Sequence, residues 1–515
     1  MKKLWIALLA LLLLTLIVAP WALRYFTYHQ GGRQARTIAR PDLSAVEVAA
    51  PALTGYQDKA AQAPAGAILV DALHDNLYDS TDLSLLQERL AARGQRLQAI
   101  LAEEDLSSML RYAKALVVIS PLADWSTGEV ELAGQFVDRG GRLLLVADAT
   151  HYSALTDEWG YLIGLDHDAP HLNSLAARFG VFFQPDYLYN MEENANNYRN
   201  IKLSNLAEDA LTKGIEELVF FGSRSIQSES PGLVVSSAGT RSNADDRAEH
   251  PAAAVLATEG RVLALGDSSF LTEPFNGVAG NDRFVSNIAD FLSQAERSYA
   301  LDEFPYFFGE SVDLVYTSDP LLDSDLLPGG GDLQALFSGA GKALSVQEYE
   351  DTSSDTLFLG LYEEAAEVER YLAAAQVTLY LQPEDETSIE PWLDYTSTLT
   401  ATEEITPRIE IESVGPMVTE GTALILRAAH GDRHIVIVLS DTVLGLQAAI
   451  ERLLDGDLEG CVLLKGEDEL ALCSTGELEE GDGAGGWPRP NEEEKEDWEG
   501  GVGAAPPMHA GRRPG

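Results

Sequence analysis

Cysteine is nearly absent from this chain: none occurs before Cys461, and only Cys473 follows it. This excludes a small disulfide-stapled scaffold, and it excludes a cysteine nucleophile upstream of position 461. Basic residues are scarce as well, with 35 Lys and Arg against 82 Asp and Glu and a formal charge of −47. The body holds no basic stripe, so a nucleic-acid partner is excluded, because binding phosphates requires cations to displace their counterions. The acidity reads as a solvated or salt-adapted surface. Phosphate-binding loops are missing too. Neither G-x-x-x-x-G-K-[ST] nor a strand-linked G-x-G-x-x-G occurs, and the GGGD run at 329–332 reads as linker. No cofactor is expected.

Long apolar runs are limited to one. Lys2 and Lys3 precede Leu4 to Leu23, an uncharged stretch rich in Leu, Ala and Ile that is long enough to cross a bilayer as a helix. Trp5 and Trp21 stand at its ends as interfacial anchors. A cleaved signal peptide is the rival reading, but the run is long for one and Pro20 spoils cleavage after Ala19. Residues 1–26 are therefore read as a transmembrane anchor, which makes the membrane the first expected partner.

Orientation is contested within the sequence. Arg24, Arg33, Arg36 and Arg40 outnumber the two lysines before the span, and the positive-inside count alone places the body in the cytoplasm. Lys-Lys before a long apolar run is, however, what export signals look like. The cysteines also favour export. In CVLLKGEDELALC a hairpin centred on Glu467 sets Cys461 opposite Cys473 and Lys465 opposite Glu469. A cross-strand disulfide there suits an oxidising compartment, and two buried free thiols are the alternative. The expected location is the cell membrane, single-pass, with an extracytoplasmic body.

Residues 27–65, rich in Gln, Ala, Pro and Gly, read as a stalk. A first domain over 66–300 alternates strand signals (Ala67–Val70, Arg96–Ile100, Leu116–Ile119, Leu143–Val146) with helices near Leu83–Ala92 and Gly128–Asp138. This alternation predicts a mostly parallel sheet covered on both faces. An aromatic and Asn-rich insertion at 148–215 interrupts it. Strands at Leu218–Phe221, Leu233–Ser236, Ala253–Ala257 and Val262–Leu265 follow, the last three partly antiparallel. The first domain closes on GDSSFLTEPFNGVAGNDRFVSNIADFL, where Asn281 or Asp282 can cap an amphipathic helix. A second, smaller α/β or α+β domain spans 301–474, and 475–515 is a Gly-, Glu- and Pro-rich tail predicted to be disordered.

Four segments of the first domain resemble membrane-anchored glutamine-amidotransferase-like proteins: ALVVISPLADWSTGEVELAGQFVDRGGRLLLVAD, LNSLAARFGVFF with Pro185 and Asp186, LTKGIEELVFF, and GDSSFL with GNDRFVSNIADFL. The resembled groups are domain-of-unknown-function family 4350 and the extracytoplasmic part of gliding-motility-type ABC transporter accessory proteins. The resemblance implies an amidotransferase-like (flavodoxin-like) layered sheet and an association with an ABC-type transport system. It does not extend to the second domain, and fold similarity alone transfers no function.

Amidotransferase chemistry needs a cysteine on a sharp strand-to-helix turn, where this chain has Ser120 and Pro121. No G-x-S-x-G elbow occurs, so Ser120 reads as a turn residue. Candidate metal ligands are Asp166, His167, Asp168 and His171 of DHDAPH, against a plain polar turn. Candidate ligand-binding residues are His74 and Asp75 beyond the first strand, against a helix-entry turn capped by Asp79 or Asp82. Asp267 and Ser268 are two more, against a turn that satisfies its own backbone. The expected function is a non-catalytic, membrane-anchored accessory that binds other membrane or envelope proteins. The alternatives are a divergent metal-dependent or Ser/His hydrolase and a cytoplasm-facing membrane scaffold.

Overall fold

The computed structural model describes residues 2–29, 53, 55–61, 63, 66–244, 250–317, 327–381, 407–431, 433–466 and 468–475. The tail read at 475–515 lies outside them except for Thr475. The chain has a mixed α/β architecture. It opens with helix Lys2–His29, whose segment Lys2–Phe26 contains an 18-residue stretch of mean hydropathy 2.6 and is long and apolar enough to cross a membrane.

Strand order positions the site. In a ten-stranded sheet β1 (Gly66–Asp71) lies between β2 (Gln95–Ile100) and β3 (Ala113–Ile119), followed by β4 (Arg142–Val146) and strand Val262–Leu265, all parallel. Strands Ala252–Ala257, Gly232–Val235 and Asn205–Leu206 extend the sheet antiparallel. The parallel strands are apolar almost throughout because both faces are covered. Alternate residues of β3 enter opposite cores: Val117 packs with Ile68, Phe220 and Phe284, whereas Leu116 and Val118 pack with Phe136 and Leu172.

Local capping chemistry decided one covering helix and not the other. Helix Thr127–Asp138 starts at a capping box between Ser126 and Glu129. Helix Asn281–Ser293 starts instead at Gly280, with no side-chain cap, so the reading of Asn281 or Asp282 as cap is corrected. The Asn281 amide is engaged elsewhere. Its Oδ1 accepts from Val219 N at 3.1 Å and its Nδ2 donates to Val219 O at 2.8 Å, holding strand Leu218–Phe221 against the helix.

The stalk reading also needs its boundary moved. Asp58 pairs with the buried Arg93 at 2.9 Å and accepts from Ser286 Oγ at 2.5 Å, and Leu53 bridges to Val278. Leu53 and Asp58 therefore rest on the body, and residues 30–52 lie outside the described residues.

A second sheet has seven strands, in the order Ala343–Gln347, Ser311–Tyr316, Asp355–Leu361, Arg433–Ser440, Thr422–His430, Glu469–Ser474 and Val462–Leu464. The first four are parallel and the rest antiparallel. The GGGD run read as linker lies inside helix Leu327–Gly339. Strands Val377–Tyr380, Arg408–Ile411 and Gly415–Val418 form a separate three-stranded antiparallel sheet.

At the sheet edge Val462 pairs with Leu472 and Leu464 with Leu470, and a disulfide joins Cys461 to Cys473 with Cα atoms 4.3 Å apart. Glu467 at the turn lies outside the described residues. The bond closes a loop of sequence separation 12. Reduction is expected to lower unfolding stability by about 2–3 kcal/mol, read as a shifted urea midpoint for the transition of the second sheet. An unchanged midpoint would show that the hairpin closes equally well without the bond.

Candidate functional site

Four parallel strand ends, those of β1, β3, β4 and Val262–Leu265, open on one edge, and the order of sequence-consecutive strands reverses between β1 and β3. Such a switch point leaves a crevice beyond the strand ends, the usual ligand position in open α/β sheets. Polar residues collect there on every strand end.

Beyond β1, the Asp71 carboxylate accepts from Leu73 N and Asn76 Nδ2 at 3.1 Å each and meets His74 Nδ1 at 3.0 Å. His74 Nε2 lies 3.5 Å from Glu129, and its ring stacks on Trp125 at 4.3 Å. Burial opposes a charge on His74, but the two carboxylates outweigh it and hold the imidazole pKa above its ordinary value. His74 thus pins the loop after β1 to helix Thr127–Asp138. Asp75 is exposed in a left-handed turn.

Beyond β3 lies the residue that sequence reasoning undervalued. Ser120 has a φ of 42°, a strained conformation for a side chain with Cβ, and it is 0% exposed. Its Oγ donates to Asp168 Oδ2 at 2.8 Å and lies 2.9 Å from His151 Nδ1. Asp168 also accepts from Asp148 N at 2.6 Å and pairs with Arg224 Nη2 at 2.7 Å and Nε at 2.8 Å. Burial raises the Asp168 pKa even with Arg224 and the donors working against it. The only sequence signal for Asp148 and His151 was an acid at a strand end and a histidine after it.

Beyond β4 and Val262–Leu265 two buried carboxylates meet the GDSS turn. Asp148 accepts from Ser268 N at 3.1 Å, Ser268 Oγ at 2.7 Å and Thr150 N at 2.8 Å. Burial opposes its charge, but His151, Thr150 and Ser268 hold its pKa below the usual range. Asp267 accepts from Phe221 N at 2.9 Å and Ser269 N at 3.0 Å, and burial together with the charge on Asp148 pushes its pKa well up. The polar groups of Asp267 and Ser268 are thus engaged within the protein. Ser268 and Ser269 also line a cavity of about 140 Å³ with Tyr78, His151 and Phe275.

The DHDAPH candidates are divided rather than gathered. Asp168 is held by Arg224 and Ser120 inside, whereas His171 bridges Asp124 at 2.7 Å and Asp166 at 3.2 Å nearer the surface. Burial, with Arg224 nearby, lowers the His167 pKa. Among the described residues, no group of three or more His, Cys, Asp or Glu is placed to hold a metal ion. The reading of these four as one metal set is corrected: Asp168 opens a helix and turns to the buried arginine.

No family model and no curated protein matches the chain. Among solved structures, it is similar to the mmIFT52 N-terminal domain at 12% identity and a TM-score of 0.35, covering 45% of this chain and 99% of that one. It is also similar to a ThuA-like protein from Bacteroides uniformis ATCC 8492 at 13% identity and a TM-score of 0.30, covering 47% of this chain and 97% of that one.

Proposed function

We propose that this protein is a non-catalytic accessory, tethered to the membrane by its N-terminal helix, with an extracytoplasmic body that binds other envelope proteins. In this reading the first sheet and its helices form an amidotransferase-like, flavodoxin-like layer that has kept the scaffold without the chemistry. The state of Ser120 carries the reading. At the position where the resembled family has a cysteine nucleophile, the serine hydroxyl is buried and its proton is held by Asp168. The next residue is Pro121, which has no N–H, so the backbone donor that an elbow nucleophile uses to stabilise an oxyanion is missing. The Cys461–Cys473 bond supports an oxidising compartment and weighs against a cytoplasm-facing scaffold. The link to an ABC-type transport system rests on the resemblance of the four sequence segments.

The Ser120–His151 contact favours the rival reading, a Ser/His hydrolase. A fluorophosphonate probe on the detergent-solubilised full chain separates the two. Ser120 is expected to stay unlabelled, with the same profile in wild type and Ser120→Ala. Stoichiometric labelling that disappears in Ser120→Ala would overturn the non-catalytic reading.

A further inference from the structure

Hairpin Tyr152–Thr156/Leu162–His167 pairs with no other strand among the described residues. Its large apolar side chains face solvent: Trp159 is 74% exposed, Tyr161 71%, Ile163 68%, Leu162 64% and Leu165 56%. A lone two-stranded hairpin is marginal in water, and exposed apolar clusters of this kind mark contact surfaces. Its base is nevertheless tied down. The hairpin springs from between Asp148 and Asp168, which are tied by the 2.6 Å bond from Asp148 N and by Arg224 beneath. Asp157 Oδ1 shapes the tip by accepting from Trp159 N at 3.0 Å and Tyr161 N at 2.8 Å. A presented element fixed at base and tip loses little entropy on docking.

Charge selects the occupant. Asp157 and Glu158 flank the exposed apolar side chains at the tip, Asp166 is bridged by His171, and no Lys or Arg occurs from Asp148 to Ala177. A second copy would bring these carboxylates together on a chain of formal charge −47, and an anionic lipid surface would repel them. We infer that the hairpin is a docking prong for a partner protein that presents an apolar groove rimmed by Lys and Arg. This inference rests on the accessory reading above and names the surface and partner class it requires.

The test uses the full chain in nanodiscs of zwitterionic lipid, with empty nanodiscs as blank. The probe is a fluorescein-labelled amphipathic helix of Leu and Lys, read by anisotropy, and a Leu/Glu helix is the control. Saturable binding of the Leu/Lys helix alone is expected. The charge-neutral pair Trp159→Ser/Ile163→Ser should weaken it by about tenfold or more, while circular dichroism stays unchanged. Glu158→Lys should weaken it less. Equal binding by the charge-neutral pair, or equal binding of the Leu/Glu helix, would overturn the proposal. So would quenching of Trp159 by brominated lipid, or dimerisation abolished by the same pair. Ser120 labelling reports separately on the accessory reading, so the two failures are distinguishable.

Discussion

Replacing Arg224 with Met is expected to lower unfolding stability by about 3–5 kcal/mol near neutral pH, because it strands Asp168 without its cation. Arg224 is 3% exposed, and its guanidinium also donates to the carbonyls of Asp148 and Asp186 at 3.3 Å each. The pH dependence identifies the carboxylate. Burial already raises the Asp168 pKa, and Arg224 is the first of the groups that oppose it. Without Arg224 the folded-state pKa climbs further above the unfolded value. Between the two, the folded state holds a proton that the unfolded state lacks, so stability falls as pH rises and recovers as pH drops. Urea unfolding of variant and wild type should show a smaller deficit at about pH 5 than at about pH 8. Arg224 also lowers the His167 pKa, so the comparison is made in a His167→Gln background, where the contributions of Asp148 and Asp267 are shared by both chains. An equal deficit at the two pH values would mean that Asp168 is not the group left unpaired.

Phe270→Ala should cost a similar amount, about 3–5 kcal/mol, for a different reason. Phe270 is 0% exposed, with its ring centroid 5.2 Å from Phe220 and 5.6 Å from Phe284. It stands where strand Leu218–Phe221, the GDSS turn and helix Asn281–Ser293 meet, so a cavity there loosens three elements at once. Phe270→Leu keeps part of the volume and should cost less. A loss below about 1 kcal/mol for the alanine variant, measured by urea unfolding, would show that the site collapses around the missing ring.

These two residues also mark how much of the molecule was legible beforehand. The segment containing Phe270 could be read as strand, polar turn and amphipathic helix, because an apolar run, Gly-Asp-Ser and helical spacing all act over a few residues. The Cys461–Cys473 hairpin was legible for the same reason: its pairing depends on a short symmetric segment. Asn281 shows where local rules fail. As an isolated helix start it suits a cap, yet a strand sixty-two residues upstream, at Val219, claims its amide on both sides. Ser120 is the larger case. It was readable as a turn residue, and its left-handed φ agrees, but neither of its partners is local: His151 lies 31 residues away and Asp168 lies 48 away.

The sequence by itself determined the parallel strands of the first sheet and the helices at Leu83–Ala92, Gly128–Asp138 and the close of the first domain, a helix long and apolar enough to cross a membrane, the acidic excess and the lack of any cysteine before Cys461, since periodicity, turn chemistry and composition need no long-range contact. Tertiary structure decided the site. Only the sheet order carries the ends of β1, β3, β4 and Val262–Leu265 to one edge, where Ser120, Asp148, Asp168 and Arg224 must satisfy one another because water cannot reach them.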